Sequence, residues 1–313
     1  MRFLGIADES GVERLVSLGI KREPLAYWVT SALKNGESRP AWCRMALSDA
    51  GELLAAHVFD SWSGAGDPGD VPTFVQLLGH VDEAAASALL AHDLSAFDAS
   101  VVEARVVIES DASPSLRAQR NRWPAILEAA GFVREVDRVR LTWPADAPVP
   151  RPSSRLTFVP VSEFPESSLL RIFAEVADGS VDNSQRTFRA SAGRDAEAAG
   201  RLRQALGRDF PASWFVIGVD AAGDPVGYVQ SARVHGDRAI LAELGVIESQ
   251  RGRRYAHDLL AYGTAAVLDA GVTMITSDTD EANRFMRAAF ARAGYLEFAT
   301  RHDFRWVRPR TIG

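Results

Sequence analysis

The segment ELGVIESQRGRRYAHDLL, residues 243 to 260, sets three arginines and a glycine between an apolar run of strand character and a helix-like run. A strand that enters a helix through a tight turn exposes unpaired backbone N–H groups at the positive end of the helix dipole, where a phosphate is held. Arg251, Gly252, Arg253, Arg254, Tyr255 and Ala256 occupy that junction. Gly252 lets the backbone approach a ligand closely, and the guanidinium groups supply charge that a diphosphate neutralises. The competing reading is a solvated basic cluster. The chain carries a formal net charge of -6, which argues against a general nucleic-acid binder and makes the basic loop a local feature. It holds no GxxxxGK[ST], and no GxGxxG between a first strand and helix, so neither a nucleoside triphosphate site nor a Rossmann dinucleotide site is expected.

The six histidines and one cysteine show no HExxH or CxxC spacing, and no metal is expected. Cys43 has no partner for an internal disulfide and reads as a small buried residue, which fits a reducing compartment. No run approaches the roughly 18 apolar residues of a membrane span. The expectation is a soluble, cytoplasmic protein with neither a membrane nor a nucleic-acid partner.

The elements around the loop can be assigned from periodicity. Residues 214–219 and 227–234 read as a hairpin and residues 239–246 as the next strand, with residues 253–270 a helix. Residues 272–277 form a short apolar run suited to a buried strand, leading to a helix that starts near Asp280, whose side chain is placed to cap it. In that helix Ala282, Phe285, Met286, Ala289, Phe290 and Ala293 repeat at helical spacing as a core-facing stripe, and Gly294 stops it. Strands, then strand and helix in alternation, indicate a mixed α/β sheet.

The segment WPADAPVPRPSS, residues 143 to 154, holds four prolines and favours an extended connector. The pattern WPAILEAAGFVREVDRVRLTW (123 to 143) recurs as MRAAFARAGYLEFATRHDFRW (286 to 306): Gly131 matches Gly294, Phe132 matches Tyr295, Arg138 matches Arg301, and Trp143 matches Trp306. PAWCRMALSDAGELLA (40 to 55) likewise pairs with ASWFVIGVDAAGDPVG (212 to 227). Two matches in the same order indicate an internal duplication of a domain of about 150 residues.

The loop and the region C-terminal to it resemble the GNAT superfamily of acyl-CoA-dependent N-acyltransferases, whose signature is V-x-P-x-x-R-G-x-G-x-G/A-x-x-L. The matching residues are Val246, Arg251, Gly252, Ala256 and Leu259, while Glu248 stands in place of the proline and Arg254 in place of the middle glycine. SDTDEANRFMRAAFARAGY (277 to 295) is similar to the family's ending, with Asn283, Met286 and the Gly294–Tyr295 pair. The resemblance covers residues 155 to 307 directly and reaches the first half through the repeat. It implies two tandem domains, each a mixed, mostly antiparallel sheet flanked by helices: residues 1–146 degenerate, 147–154 a proline-rich linker, and 155–313 the N-acetyltransferase domain. In the first half, Leu77, Leu78 and Gly79 align with the strand end, but Asp82 and Glu83 come next in place of arginines, so that domain is expected to have lost the cofactor.

The resemblance further implies acetyl-CoA as co-substrate and direct attack by the primary amine of a small molecule, in a monomer or homodimer. Leu244, Gly245 and Val246 would offer backbone N–H groups to the cofactor and the developing oxyanion. An amine with a pKa near ~10.4 is mostly protonated at neutral pH, so a base is needed. Glu243 is the candidate, with an ordinary strand carboxylate as the alternative. Asn283 would contact the cofactor arm. The position of the family's acid tyrosine is Phe290, which cannot donate, and Tyr255, Tyr262 and His257 are the candidate replacements. Asp178, Asp182 and the stretch around Trp28 are expected near the acceptor pocket. A non-catalytic CoA-binding or ligand-sensing module is the alternative function, and a structural interaction protein the third.

Overall fold

Residues 215 to 219 and 225 to 229 run without a charged residue, as strands buried on both faces do. In the computed structural model, which describes residues 1–6, 30, 32–34, 36–61 and 71–309, they lie in strands β8 (Phe215–Val219) and β9 (Pro225–His235). Their side chains alternate between two cores. Val216 and Val229 join Trp214, Leu241, Leu259, Ile275 and Phe290 on one face. Phe215, Ile217 and Tyr228 join Leu169, Ile172, Phe173 and Leu202 on the other.

The chain divides into two units, Met1–Val136 with Arg301–Gly313 and Asp137–Thr300. The first contains β1 (Arg2–Gly5), β2 (Cys43–Leu47), β3 (Leu53–Asp60), β4 (Phe74–His80) and β5 (Val101–Glu109), with helices α1 (Glu83–Ala96), α2 (Pro114–Arg120) and α3 (Trp123–Ala129). Strands β1 to β4 pair antiparallel in chain order, and β4 pairs β5 in parallel at Phe74↔Glu103 and Val75↔Ala104. The long strand β6 (Val133–Trp143) begins in this unit.

The second unit contains β7 (Thr157–Pro160), α4 (Glu166–Ala177), α5 (Asn183–Ala192), α6 (Arg194–Leu206), β8, β9, β10 (Arg238–Val246), α7 (Tyr255–Asp269), β11 (Met274–Asp280) and α8 (Arg284–Arg292). The last strand, β12 (Leu296–Val307), begins here. Strands β7 to β10 pair antiparallel in chain order, β10 pairs β11 in parallel, and β11 pairs β6 antiparallel.

The duplication is therefore structural, since β1–β5 and β7–β11 have the same pairing sequence. In both, a short 3-10 turn, Pro40–Trp42 or Ala212–Trp214, leads into the second strand. The next connection turns on a glycine at positive φ, Gly51 (85°) or Gly223 (88°). The long strands fall into different units along their length. Trp306 belongs to the first core and lies against Gly131, while Trp143 belongs to the second and lies near Gly294. A division in chain order cannot reproduce these units, because each takes its closing strand segment from the opposite half of the sequence. Residues 147–154 fall inside the second unit, where Ala147 packs on the core.

Cys43 is fully buried, and burial pushes its thiol up to about 12. In the first unit, the strand that corresponds to β10 ends at His80 and enters α1 directly, capped by Asp82 through a hydrogen bond from Ala85 N (2.9 Å). A carboxylate of the chain itself occupies the helix N-terminus that an anion would need. Replacing Asp82 with alanine is expected to cost about 1 kcal/mol in chemical denaturation, without changing how many acetyl-CoA molecules the chain binds.

Candidate active site

β10 and β11 are parallel neighbours, but they pair only at Arg238↔Met274, Ala239↔Ile275 and Ile240↔Thr276. At the fork Ser277 Oγ donates to Leu241 O (2.9 Å). On its other edge β10 stays paired to β9 as far as Val246↔Gly227. Peptide groups of residues 242–246 that face away from β9 therefore border a groove of about 830 Å³ lined by Glu243, Leu244, Gly245 and Val246. Gly245 is required by packing: a Cβ there would lie 2.1 Å from Val176 Cγ1 on α4.

The same groove takes in the basic loop. After the short turn Glu248–Gln250, Arg251 is extended, Gly252 has φ 80°, and Arg254 is the N-cap of α7 at φ 67°, ψ 17°. Arg254 is the one non-glycine residue at positive φ among the described residues. It adopts the left-handed backbone that the glycine of the related motif would take freely. Arg254→Gly should relieve roughly 1–2 kcal/mol of left-handed cost against about 0.4–1 kcal/mol of added chain entropy. The expected net gain in a denaturant titration is about 0–1.6 kcal/mol, accompanied by weaker acetyl-CoA binding from the lost charge.

The arginines of the loop divide in role. Arg251 turns inward: its guanidinium donates to the carbonyls of Val246 (3.2 Å), Gly179 (3.1 Å) and Val176 (2.7 Å), so it staples the loop to the end of α4. The expected grip of this side chain on a ligand is corrected accordingly. Arg253 and Arg254 are exposed, and neither forms an ion pair with a described residue. Asp258, in the first turn of α7, is neutralised by Arg155, whose guanidinium also covers the Tyr255 ring at 5.2 Å. The N–H groups of Tyr255 and Ala256 at the start of α7, Gly252 with open space where a Cβ would lie, and the two exposed guanidinium groups together fit a diphosphate.

Glu243 reaches the groove, but its carboxylate is occupied. Oε2 pairs with Arg201 and Oε1 lies 3.3 Å from Arg208 Nη2, with only 12% of the side chain exposed. Arg208 also donates to Gln230 Oε1 (2.9 Å). Two guanidinium groups thus occupy both of its oxygens.

On the opposite wall, Asn283 rather than Asp280 caps α8: Asn283 Oδ1 accepts from Met286 N (3.1 Å). Asp280 is buried at the end of β11 and accepts from Asn183 N and Ala282 N, both at 2.8 Å. The stripe on α8 is also narrower than expected. Ala289 and Phe290 are buried, whereas Phe285 is 64% exposed and lines the groove, because it precedes the turn that meets the core. Phe290 packs edge-on against Tyr295 at 5.0 Å, and Tyr295 hydroxyl pairs with Thr264 Oγ1 (2.7 Å). Of the candidate donors, Tyr255 and His257 line the groove. Tyr262 instead stacks on Phe158 at 4.1 Å, and burial raises its pKa.

The carboxylates expected to attract an amine are also engaged. Arg194 and Arg189 hold the Asp178 carboxyl down at about 2. Asp182 caps α5 by accepting from Gln185 N (3.0 Å) and lies 3.5 Å from Arg138. Trp28 lies outside the described residues. Sequence reasoning misses Glu197, Arg201 and Gln204, which face the groove from α6 with Gln185 and Phe188 of α5. Their signal is the i, i+4, i+7 spacing on one helix face, which resembles a solvated surface.

Residues 181–295, a span running from the start of α5 past α8, match the model of the acetyltransferase (GNAT) family. The matched segment lies wholly within the second unit. Across nearly its whole length the chain has the fold of tandem GNAT proteins. It is similar to a GCN5-related N-acetyltransferase from Sphaerobacter thermophilus, at 15% identity and TM-score 0.59 over 99% of this chain and 97% of that one. A tandem GNAT protein from the clavulanic acid biosynthesis pathway matches at 18% identity and TM-score 0.54 over 99% of each chain. A GCN5-related N-acetyltransferase from Kribbella flavida matches at 17% identity and TM-score 0.52 over 90% and 95%. No curated protein matches the sequence. Among the described residues, no helix is long and apolar enough to cross a membrane, and no three metal-ligating side chains are grouped to hold a metal ion. The groove is bordered by residues of the GNAT domain and of the strand and helix ends that flank it.

Proposed function

We propose that the GNAT domain transfers an acetyl group from acetyl-CoA to the primary amine of a small molecule by direct attack, and that the first unit is a degenerate partner. One observation carries the reading: the unpaired edge of β10 and the N-terminus of α7 border the same groove. Acetyl-CoA, when bound, supplies the thioester carbonyl. The amides of the α7 first turn, with Arg253 and Arg254, would hold its diphosphate. Main-chain N–H groups of Leu244, Gly245 and Val246 would stabilise negative charge on the carbonyl oxygen without reorganising. Asn283, whose Oδ1 is committed to the cap, keeps its amide N–H groups for the cofactor arm.

Phe290 offers no proton to the leaving sulfur, but a thiol of pKa near ~8.5 leaves tolerably as a thiolate. The reading calls for no metal, nucleic acid or membrane, and for a cytoplasmic monomer or homodimer. Its test is release of free thiol from acetyl-CoA with a panel of primary amines. Release supports it, and its absence with every amine class would sink the transferase. The paired Glu243 and the buried Phe290 favour one alternative, a module that binds CoA without turnover. Tight acetyl-CoA binding with no thiol release would support that alternative.

A further inference from the structure

Glu197 has no part in this transfer scheme, although it is among the least comfortable groups in the unit. It lies on α6 against the groove, its side chain is 0% exposed, and neither carboxylate oxygen has a hydrogen-bond partner. The nearest cation is Arg201 Nη1 at 3.7 Å, one turn along the helix. That guanidinium is already committed to Glu243, and the Gln185 amide, in the orientation that satisfies its hydrogen bonds, turns its oxygen to the same group at 2.9 Å. The Tyr228 hydroxyl, also buried, has no partner either. A buried carboxylate without a hydrogen-bond partner destabilises a fold. What it lacks is a hydrogen-bonding cation, and the acceptor of the acetyl group enters as an ammonium.

We propose that Glu197 is the catalytic residue that receives the proton of the acceptor amine, with Glu243 a positioning residue that fixes Arg201. The assignment rests on the acetyl-transfer reading. Rotation of the Glu197 side chain, 0% exposed at rest, into the groove brings it to an entering ammonium R–NH3⁺, which gives it one proton and so frees the nitrogen lone pair. That pair forms the C–N bond as the C–S bond breaks, and the sulfur leaves with the bonding electrons. The second N–H proton ends on the sulfur, and Glu197 returns its own to solvent. Glu197 is the carboxylate left to accept, because Glu243 holds two guanidinium groups whereas Glu197 meets only Arg201, at 3.7 Å and without a hydrogen bond. Burial raises the Glu197 carboxyl, opposed by Arg201 on its own helix through both its charge and its close polar approach and by the charge of Arg189 on α5, and reinforced by Glu243 on β10. Tyr228 on β9 is the remaining titratable neighbour.

A carboxyl raised in the folded state binds more protons folded than unfolded between its two pKa values, so its burial costs stability as pH rises through that window. Glu197→Gln removes the charge and keeps the shape. The variant should therefore melt higher than the wild type at neutral pH, with the gap closing at acid pH below the ordinary glutamate value. Thermal shift by acetyl-CoA should be unchanged. With tyramine, spermidine, glucosamine and lysine as probes, thiol release should fall roughly 100-fold or more. The acid limb of the wild-type pH profile should vanish, and partial activity should return at high pH, where the amine loses its own proton. Equal rates and pH profiles, or a variant less stable at every pH, would overturn the role of Glu197. Loss of the acetyl-CoA thermal shift in the wild type itself would instead overturn the acetyl-transfer reading beneath it.

Discussion

Exchanging Arg253 and Arg254 together for glutamate is expected to weaken acetyl-CoA binding by roughly 100-fold or more. A hydrogen bond to a charged group contributes about 1.5–3 kcal/mol, so two lost guanidinium–phosphate contacts remove ~3 kcal/mol or more, and each 1.4 kcal/mol is about tenfold. The introduced carboxylates add repulsion that salt screens, so the deficit should shrink as ionic strength rises. Both side chains are exposed and unpaired among the described residues, so the melting temperature should hardly move. Arg251→Ala should behave differently. Its guanidinium satisfies three carbonyls of the α4 end and the β10 end, so its removal should lower stability and binding together. Isothermal calorimetry alongside thermal melts separates the two patterns.

Removing the Arg201 guanidinium should produce the largest loss of stability. Its side chain is 12% exposed, pairs with the equally buried Glu243 and is the nearest cation to Glu197. Arg201→Ala leaves two carboxylates short of a counter-charge, and breaking a buried pair in this way costs about 3–5 kcal/mol. The sign with pH distinguishes this cause from simple loss of packing. Without the guanidinium the Glu197 carboxyl, already raised by burial, shifts further upward, the native state holds more protons than the unfolded one, and stability falls as pH rises. The variant should therefore recover part of its deficit at mildly acid pH in a denaturant titration. A deficit independent of pH would assign the loss to packing alone.

The second unit is legible in the sequence where the physics is local. Short apolar runs yield β8, β9 and β10, the arginine-flanked glycine marks the turn into α7, and the matched tryptophans reveal the duplication. The sequence misleads where one side chain has several possible partners. Asp280 and Asn283 are both good caps, and only the path of β11 decides that Asp280 bonds Asn183 and Ala282 while Asn283 caps α8. Arg251 reads as an anion ligand until the end of α4 supplies carbonyls for it. Arg201 and Glu197 stay hidden because nothing within α6 says that its polar face is buried. That burial comes from long-range packing of α4, α5 and the β9–β10 ladder. The exchange of closing strand segments is equally invisible, since the repeat shows that two strands correspond but not which core each enters.

One groove, in the second unit alone, is assigned to acetyl-CoA, held through the α7 turn. Calorimetric titration of acetyl-CoA into the full-length chain tests this assignment most directly. The predicted result is one molecule bound per chain, with binding lost in the Arg253→Glu, Arg254→Glu double variant. No binding heat, two molecules per chain, or undiminished affinity in the double variant would contradict it.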